Sequence, residues 1–475
     1  YKGKNTGRPV IEAMLCAINY RGPDESGVFL SPLAALGNVR LSIIDLSTGQ
    51  QPLSDTSGRY WIVLNGEIFN YRELRELLIK KGFTFRTTSD TEVLVQLYSA
   101  FGKDCLGMLN GQFAFAIWDT LKEEVFLARD RIGIRPLFYH SSESGFSFAS
   151  EIKSLLAQKD ISPQLSYRNL AQIYTFWTAI TPGTAFRDIF ELSPGHYMVH
   201  NRNGITIKQF WNLDYTGSNR QLNFYDAVGQ LDELLRDAVR IRLRADVEVA
   251  AYLSGGIDSS STVALIKDIE PGVLNTFSIG FEDSNFDETS YQNEAVRFLD
   301  TKHRSITCSS EEISESFPRV VWHCETPVTR TAPAPMLLLS GLVRRNNIKV
   351  VITGEGADEM LAGYDIFKEA KIRRFWANQP DSALRPRLLT KLYPYLPQMK
   401  QANPAILKMF YGYKLDETDN PFYSHLLRWN NSNHIKKHFA GGIRSELDGY
   451  SILEELEGKL PSEFGKWDYL EKAQW

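Results

Sequence analysis

The chain has 475 residues, of which 43% are hydrophobic and 23% charged, as in globular rather than fibrous or disordered proteins. The length predicts roughly two or three domains, and the net charge of −4 argues against a nucleic-acid partner bound through bulk charge. Four cysteines, at positions 16, 105, 308 and 324, are too far apart for a disulfide scaffold or a zinc site. The longest apolar run, 336–343, is too short to span a membrane and the N-terminus is polar, so we expect a cytoplasmic protein without a membrane partner.

The first 210 residues combine short β-rich segments with amphipathic helices. Predicted strands, paired mostly as hairpins, are 36–45, 60–64, 113–118, 125–128, 137–139, 146–149, 196–200 and 205–208. Helices are predicted at 71–81 and 91–101, where leucines and valines recur at helical spacing. Antiparallel strands with segregated helices predict an α+β layered domain over residues 1–210.

The chain changes character after a polar stretch, 211–222, which we interpret as a linker. Helices are then predicted at 225–244, 259–267, 288–299, 311–323 and 335–345, with strands at 247–253, 274–281 and 349–353. This alternation predicts an α/β domain over 223–475 with a doubly wound parallel sheet, followed by a mostly helical part after about residue 375.

The strongest local signal is Ser254-Gly255-Gly256-Ile257-Asp258-Ser259-Ser260, directly after a predicted strand and at the start of a predicted helix. Two glycines allow a sharp turn, and backbone N–H groups and hydroxyls at a helix start form an anion site. Asp258 would repel a phosphate unless a divalent cation lies between them. The alternative, a glycine-rich turn with serine caps, explains the flanking strand and helix less well.

Two further strand ends carry similar signals: Thr276-Phe277-Ser278-Ile279-Gly280-Phe281, and Thr353-Gly354-Glu355-Gly356-Ala357-Asp358-Glu359. Ligands of doubly wound sheets bind at the carboxyl ends of strands, so the three ends are expected to converge. Asp258 and Asp358 are candidate Mg²⁺ ligands, and Glu355 is a candidate proton acceptor. Taken singly, each of these acids could instead cap a helix.

Together these motifs resemble a known family. SGGIDSS resembles the PP-loop of ATP pyrophosphatases, and with TFSIGF and TGEGADEMLAGY it is similar to the synthetase domain of glutamine-hydrolysing asparagine synthetases. The resemblance implies an ATP site made of Leu253, Ser254, Gly255, Gly256, Asp258, Ser259, Ser260, Ile279, Thr353 and Gly354, with Leu253 and Ile279 framing adenine through their backbone. It also implies Mg²⁺ on Asp258 and Asp358, and uptake by Glu355 of the proton that ammonia loses.

The N-terminal part resembles the class II glutaminase domain, which has an N-terminal-nucleophile αββα fold. The matching segments are 21–24 (RGPD), 40–45 (RLSIID), 65–67 (NGE), 89–92 (SDTE) and 128–130 (ARD). They imply a glutamine site made of Arg40, Leu41, Ser42, Ile43, Ile44, Asn65, Gly66, Glu67 and Asp90. Arg40 suits the α-carboxylate of glutamine, Glu67 and Asp90 suit its ammonium group, and Asn65 and Gly66 offer N–H donors to an oxyanion. Taken alone, Asn65-Gly66 is also a hairpin-turn signal.

The sequence departs from the family at both ends and at one internal position. Members with glutaminase activity begin with Cys-Gly, whose thiol is the nucleophile and whose α-amine is the base, whereas the printed sequence begins at Tyr1. Interior cysteines have no free amine, and Cys16 is predicted to be a buried helix residue, so we favour a short preceding strand that carries the nucleophile. An Arg-Val-Pro-Phe-type segment and a lysine near the family's C-terminus are not found, and Ala362 replaces the usual glycine.

The resemblance implies amidation of a carboxylate, by default aspartate to asparagine, through an acyl-adenylate. Glutamine supplies the ammonia, and AMP, pyrophosphate and glutamate are released. Segment 325–333 is predicted to border the acceptor, where Arg330 could pair with a substrate carboxylate or lie on a solvated loop. The alternatives are amidation of a different carboxylate in natural-product or cell-surface biosynthesis, an ammonia-only ligase, and a non-catalytic relative. The family also suggests a homodimer.

Overall fold

A computed structural model describes residues 7–143, 145–215, 222–394, 396, 399 and 401–475. Internal contacts group the described residues into two units. The first lies within Tyr1–Asn169, Ala179–Asn212 and Leu222–Thr353, and the second within Leu170–Thr178, Leu213–Gln221 and Gly354–Trp475. The domain boundaries at 1–210 and 223–475 stay predictions, and residues 216–221 of the predicted linker lie outside the described residues.

The strands are numbered in chain order. They are β1 Glu25–Leu30, β2 Ala35–Arg40, β3 Leu53–Ser54, β4 Tyr60–Ile68, β5 Gly111–Asp119, β6 Glu124–Arg129, β7 Phe138–Ser142, β8 Gly145–Ala149, β9 Ile189–Glu191, β10 His196–Asn201, β11 Gly204–Gln209, β12 Val249–Tyr252, β13 Asn275–Phe281, β14 Lys302–Cys308 and β15 Val350–Ile352.

The α-helices are numbered in the same way. They are α1 Arg8–Ala17, α2 Tyr71–Lys80, α3 Asp90–Phe101, α4 Ile152–Leu156, α5 Tyr167–Phe176, α6 Phe224–Arg242, α7 Ile257–Ile269, α8 Thr289–Leu299, α9 Ser310–Cys324, α10 Pro333–Arg345, α11 Ala357–Met360, α12 Asp365–Ala377, α13 Pro404–Tyr411, α14 Leu426–Asn433, α15 Gly441–Glu446, α16 Ile452–Glu457 and α17 Tyr469–Gln474. Short 3₁₀ helices lie at Asn19–Arg21, Gly102–Met108, Arg385–Lys391, His434–His438 and Phe464–Lys466.

The N-terminal part of the first unit is layered as helix, sheet, sheet and helix. An antiparallel sheet has the strand order β11-β10-β6-β5-β4-β3, and a second layer holds β8-β7-β9 and the β1-β2 ribbon. Alternation along β5 explains the layering: Phe113 and Phe115 pack toward α2 and α3, whereas Ala116 and Trp118 pack toward the second layer. Helices α1 and α4 cover the outer face of that layer, which confirms the predicted α+β architecture.

Three differences from the sequence predictions occur in this part. β2 ends at Arg40, so 41–45 of the predicted strand is a loop, in which Asp45 has a left-handed φ of 56°. Cys16 does lie in a helix but is exposed, because Met14 and Leu15 supply the buried face of α1. Strands β1, β3 and β9 and helices α4 and α5 are additional elements, each too short or too weakly periodic to be predicted.

The rest of the first unit contains a parallel sheet with the strand order β14-β13-β12-β15. Leu253 and Val263 pack on one face with α7, and Phe277 and Leu339 pack on the other with α10. Helices therefore cover both faces, which confirms the doubly wound arrangement. The sequence missed β14, because its exposed face carries Lys302 and further polar residues that mask the strand pattern.

The second unit is mostly helical, as predicted for the chain after residue 375. Its core joins Trp376 on α12 to Leu407 and Tyr411 on α13 and Leu427 on α14. No helix in the described part of the chain is both long and apolar enough to cross a bilayer.

Arg373, on α12, is fully buried and contacts Tyr411 of this core. Its guanidinium donates to the carbonyl oxygens of Tyr411, Tyr423 and Tyr413 at 3.0, 3.1 and 2.6 Å. We expect Arg373→Met to lower the free energy of unfolding by about 3–5 kcal/mol, because it leaves buried carbonyl groups without a donor. Urea denaturation measures the change. The exposed Lys371→Met on the same helix is the control, and an equal, small effect of both variants would contradict the prediction.

Candidate functional site

A cavity of about 360 Å³ lies in the N-terminal part of the first unit. It collects every residue of the predicted glutamine site except one: Arg40, Leu41, Ile43, Ile44, Asn65, Gly66, Glu67 and Asp90 all line it. Ser42 is the exception, since it is buried and its N–H donates to Asp24 Oδ2 at 2.9 Å. Segments far apart in the sequence are thus brought together around one space.

Arg40 anchors the loop that forms one wall of the cavity. Its Nη2 donates to the carbonyl oxygens of Ile44 and Asp45, both at 2.7 Å, and its Nη1 pairs with the Glu25 carboxylate at 2.9 Å. The Asp45 side chain accepts from the Thr48 and Thr88 N–H groups, and although burial acts in the opposite direction, these hydrogen bonds lower the pKa of Asp45 to about 2. The loop 40–45, called here the glutamine loop, is therefore closely held.

Two buried carboxyl groups face the cavity. Burial, together with the nearby charge of Asp90, raises the pKa of Glu67 to about 7. Burial also raises the pKa of Asp90, although its Oδ2 accepts from the Ile68 N–H at 3.0 Å. Asp90 is the first residue of α3, behind the Ser89 N-cap. Paired acids in a partly closed space favour a cation such as an ammonium group.

Asn65 and Gly66 lie inside β4, which rules out the hairpin-turn interpretation. The strand runs through both residues, and Gly66 pairs with Phe113 of β5. Gly66 has a φ of +140°, and a Cβ there would collide with the carbonyl oxygen of Gln112. The Asn65 Nδ2 donates to Ser150 Oγ at 3.3 Å, which orients the amide at the cavity wall. Glycine is therefore required beside the amide that was predicted to bind an oxyanion.

Several residues of the cavity wall were not predicted, among them Arg135, Gln51 and Ser150. Burial lowers the pKa of Arg135, and its Nε has no hydrogen-bond partner among the described residues. Asp130 builds the turn that delivers it, accepting from the N–H groups of Ile134 and Arg135 at 3.0 Å each. The sequence signal for this region was the Ala-Arg-Asp motif at 128–130. It indicated the turn but not that Arg135 would line the cavity.

A second cleft, of about 160 Å³ and lined by both apolar and polar residues, lies beside the first. Residues of α1, β2 and β8 line it, including Ile11, Leu15, Phe146 and Phe148, and it shares Asn65 with the glutamine cavity. Among the strands of the described residues, β2 pairs only with β1 and β8 only with β7. Each of these strands therefore keeps an edge able to accept another strand.

The predicted ATP-binding turn connects β12 to α7. α7 begins at Ile257, and its N-cap, Gly256, makes no side-chain capping bond. The first N–H groups of a helix have no partner within it, so this helix start can face an anion. The Ser254 N–H donates to Ser259 Oγ at 3.1 Å, and the two hydroxyl oxygens are 2.9 Å apart, which closes the turn.

Gly255 is the tightest point of that turn, with a φ of +82°. A Cβ there would lie 2.7 Å from the nitrogen of Gln292 and the carbonyl carbon of Tyr291, at the start of α8. Gln292 is itself fixed, because its Nε2 donates to the Ile279 carbonyl at 2.8 Å and its Oε1 accepts from Ser278 Oγ at 2.7 Å. The turn is thus built against a rigid neighbour, and only glycine fits.

The remaining predicted ATP residues of the first unit are also located. Leu253 is buried and its N–H donates to the Phe277 carbonyl at 2.9 Å, so this amide already has a partner. Asp258 and Ser260 lie on the first turn of α7, and Thr353 follows β15. Arg330, the residue predicted to bind the acceptor carboxylate, is exposed in the connection between α9 and α10. Their binding roles stay predictions.

Gly354, Glu355 and Asp358 belong to the second unit. The N–H of Ala357 donates to the Gly354 carbonyl at 3.3 Å, and Asp358 lies on the short helix α11. Ala362 has a left-handed φ of 56°, which gives the physical reason for the family's glycine at this position. Among the described residues, no group of three or more His, Cys, Asp or Glu side chains is arranged to hold a metal ion.

Comparison with known proteins agrees with both halves. A glutamine amidotransferase domain model matches residues 1–211, and an asparagine synthase model matches residues 230–475. Asparagine synthetase [glutamine-hydrolyzing] 1 of Bacillus subtilis is 37% identical over 76% of this chain. The chain belongs to the asparagine synthetase family. Its αββα layers and parallel sheet confirm the predicted N-terminal-nucleophile and PP-loop fold classes.

Two further relatives are similar to this member of the asparagine synthetase family. Asparagine synthetase [glutamine-hydrolyzing] 3 of Bacillus subtilis is 31% identical over 86% of this chain and 68% of its own length. Amidase chyE of Penicillium rubens is 36% identical over 75% of this chain and 55% of its own length. The match to asparagine synthetase 1 likewise spans 56% of that protein. This chain therefore corresponds to little more than half of two of these relatives.

Proposed function

We propose that this chain carries out ATP-dependent amidation of a carboxylate with nitrogen taken from glutamine. The observation that supports this best is the cavity that gathers eight of the nine predicted glutamine-binding residues. The glycine turn at the start of α7, which we propose binds the nucleotide, also supports it through its helix start and its close-packed glycine. The names of the family relatives are consistent with this pairing.

The cavity suits both charged groups of free glutamine. Glu67 and Asp90 would bind the α-ammonium, which in turn would stabilise their ionised forms. The α-carboxylate would lie toward Arg40, and Arg135 would add a second positive charge to the lining of the cavity. The side-chain amide would then lie toward Asn65 and Gly66, whose N–H groups would stabilise the oxyanion of the tetrahedral intermediate.

The nucleophile of the proposed glutaminase is a thiol on a preceding Cys-Gly strand. The cleft between α1, β2 and β8 contains apolar side chains against which such a strand could pack, and β2 and β8 offer free edges for pairing. It adjoins the glutamine cavity at Asn65, where a thiol at the strand's start would meet the amide carbon. The free α-amine of that cysteine would accept the thiol proton.

In the proposed synthetase reaction, an acceptor carboxylate attacks the α-phosphate of ATP and displaces pyrophosphate. Ammonia then attacks the acyl-adenylate, so that an amide and AMP are released. We assign the pyrophosphate portion to Ser254, Gly255, Gly256, Ser259 and Ser260, the adenine to the backbone of Leu253 and Ile279, and nucleotide contacts to Thr353 and Gly354. Mg²⁺, when bound by the carboxylates of Asp258 and Asp358, would neutralise phosphate charge. Glu355 would take up the proton that ammonia loses, and Arg330 would pair with a carboxylate of the acceptor, by default aspartate.

The test uses protein that begins with Cys-Gly ahead of the printed sequence. It is incubated with ATP, Mg²⁺, aspartate and either glutamine or ammonium, and pyrophosphate, glutamate and asparagine are measured. We expect asparagine from both nitrogen sources, with one pyrophosphate released for each asparagine formed.

The other outcomes distinguish this function from its alternatives. Asparagine from ammonium alone would restrict the function to an ammonia-dependent ligase. Glutamate release without pyrophosphate or asparagine would exclude aspartate, and pyrophosphate release would then be screened across other carboxylates. Absence of both glutamate and pyrophosphate under all conditions would contradict the proposed function.

A further inference from the structure

The backbone of the glutamine loop also contacts the parallel-sheet part of the first unit. The Asp45 N–H donates to Asp246 Oδ2 at 2.7 Å, and the Asp246 N–H donates to the Ile43 carbonyl at 3.0 Å. Asp246 therefore binds the loop backbone through one hydrogen bond that it accepts and one that it donates. Such a reciprocal pair fixes both the position and the direction of a segment.

Lys349 contacts the same loop at its other end. Its Nζ donates to the Ser42 carbonyl at 3.3 Å and pairs with Asp24 Oδ2 at 2.6 Å. Asp24 in turn accepts from the Ser42 N–H, so Lys349 and Asp24 together hold both polar groups of that peptide segment. Burial would raise the pKa of Asp24, but these hydrogen bonds outweigh it and lower that pKa.

Asp246 and Lys349 stand at the beginning of the two strands that lead to the proposed ATP-binding segments. Asp246 lies three residues before β12, which runs into the glycine turn, and Lys349 directly precedes β15, which runs into Thr353. β12 and β15 are hydrogen-bonded neighbours, with Val249 paired to Val350. Only short strands therefore separate the contacts on the glutamine loop from the proposed nucleotide site.

We infer that Asp246 and Lys349 are positioning residues that hold the glutamine loop in its binding geometry and couple it to the nucleotide-binding strands. We call this pair the strand-root clamp. The inference rests on the proposed function for its effect on glutamine, while its structural content rests on the hydrogen bonds alone. Because coupling between two binding sites is reciprocal, nucleotide bound at the carboxyl ends of these strands would change the affinity for glutamine.

The test compares the double variant Asp246→Ala/Lys349→Met with wild type, in the protein that begins with Cys-Gly. Glu73→Gln is the matched control, because Glu73 pairs with Arg244 near the same segment but lies outside the cavity. We expect the KM for glutamine to rise about tenfold with kcat within about twofold, while ammonium-dependent pyrophosphate release stays unchanged. Asp246→Asn and Lys349→Arg keep an acceptor and a donor, and they should restore most of the affinity.

Hydrogen exchange of peptides covering residues 40–48 supplies a readout that needs no activity. We expect about tenfold faster exchange in the double variant than in wild type or Glu73→Gln, and slower exchange in wild type when ATP and Mg²⁺ are added. Unchanged exchange and an unchanged KM would overturn the clamp. If wild type hydrolyses no glutamine, the glutaminase proposal has failed, and the exchange rates alone decide whether the clamp exists.

Discussion

Replacement of Gly255 by alanine is expected to reduce ATP-dependent pyrophosphate release at least about 100-fold while glutamine hydrolysis continues. The left-handed φ of +82° disfavours any side chain, and the added Cβ would lie 2.7 Å from backbone atoms of Tyr291 and Gln292. Neither atom belongs to a flexible side-chain end, so the turn itself has to shift. A shifted turn no longer presents the start of α7 to the phosphates.

Gly272→Ala is the matched control for this prediction. It lies in the same unit, after α7, and a Cβ there would meet nothing within 4 Å. Pyrophosphate release and nucleotide affinity should therefore stay at wild-type values in the control. Gly255→Ala protein that is folded by circular dichroism and still releases pyrophosphate at more than about a tenth of the wild-type rate would refute the assignment of this turn to ATP.

Replacement of Glu67 by glutamine is expected to raise the stability of the fold while it removes glutamine binding. Burial and the nearby Asp90 raise the pKa of Glu67 from its ordinary value of 4.5 to about 7. Holding that carboxylate ionised in the folded state therefore costs on the order of 3 kcal/mol at pH 8. A neutral amide avoids this cost but loses the charge that pairs with the substrate's ammonium group.

The sign of the pH dependence follows from the direction of the shift. With a raised pKa in the folded state, wild type is relatively stable below about pH 4.5 and loses that contribution as the pH rises toward 7. The stabilising effect of Glu67→Gln should therefore be about 2 kcal/mol larger at pH 8 than at pH 5, as measured by urea denaturation. Glu73→Gln, an exposed acid, should show no such difference.

The pH dependence of glutamine hydrolysis should run in the opposite direction to that of stability, because binding needs the ionised form of Glu67. In wild type, kcat/KM for glutamine is expected to fall as the pH drops below about 7, because Glu67 becomes protonated. In Glu67→Gln, kcat/KM should be at least about 50-fold lower at pH 8 and should no longer follow this titration. A variant with wild-type kcat/KM at pH 8 would show that Glu67 does not bind the ammonium group.

The amphipathic helix α6 shows where a correct pattern is not sufficient. The apolar stripe predicted within 225–244 does lie on one helix, yet Val228, Leu231 and Leu235 are 50%, 39% and 42% exposed. Periodicity reports which side chains share a face. It carries no information on whether another element covers that face, which depends on residues distant in the chain.

The sequence by itself determined the features whose physics is local. The SGGIDSS turn could be placed between a strand and a helix because the pattern that identifies it lies in neighbouring residues. The strand that contains Phe113 and Phe115 could be predicted because its residues form one continuous β-rich segment. The glutamine-site residues were found through short motifs that act as units. These signals survive without knowledge of the rest of the fold.

Only the tertiary structure decided which distant residues complete those motifs. Arg135 reaches the cavity through a turn built by Asp130, and the clamp joins Asp45 to Asp246 across 201 positions and Asp24 to Lys349 across 325. No local sequence pattern identifies the partner of a lysine or aspartate at the start of a strand, because that partner depends on how separate layers of the fold pack together. Burial has the same origin: Glu67 acquires its raised pKa from its burial in the folded chain and from the charge of Asp90, which is distant in the sequence.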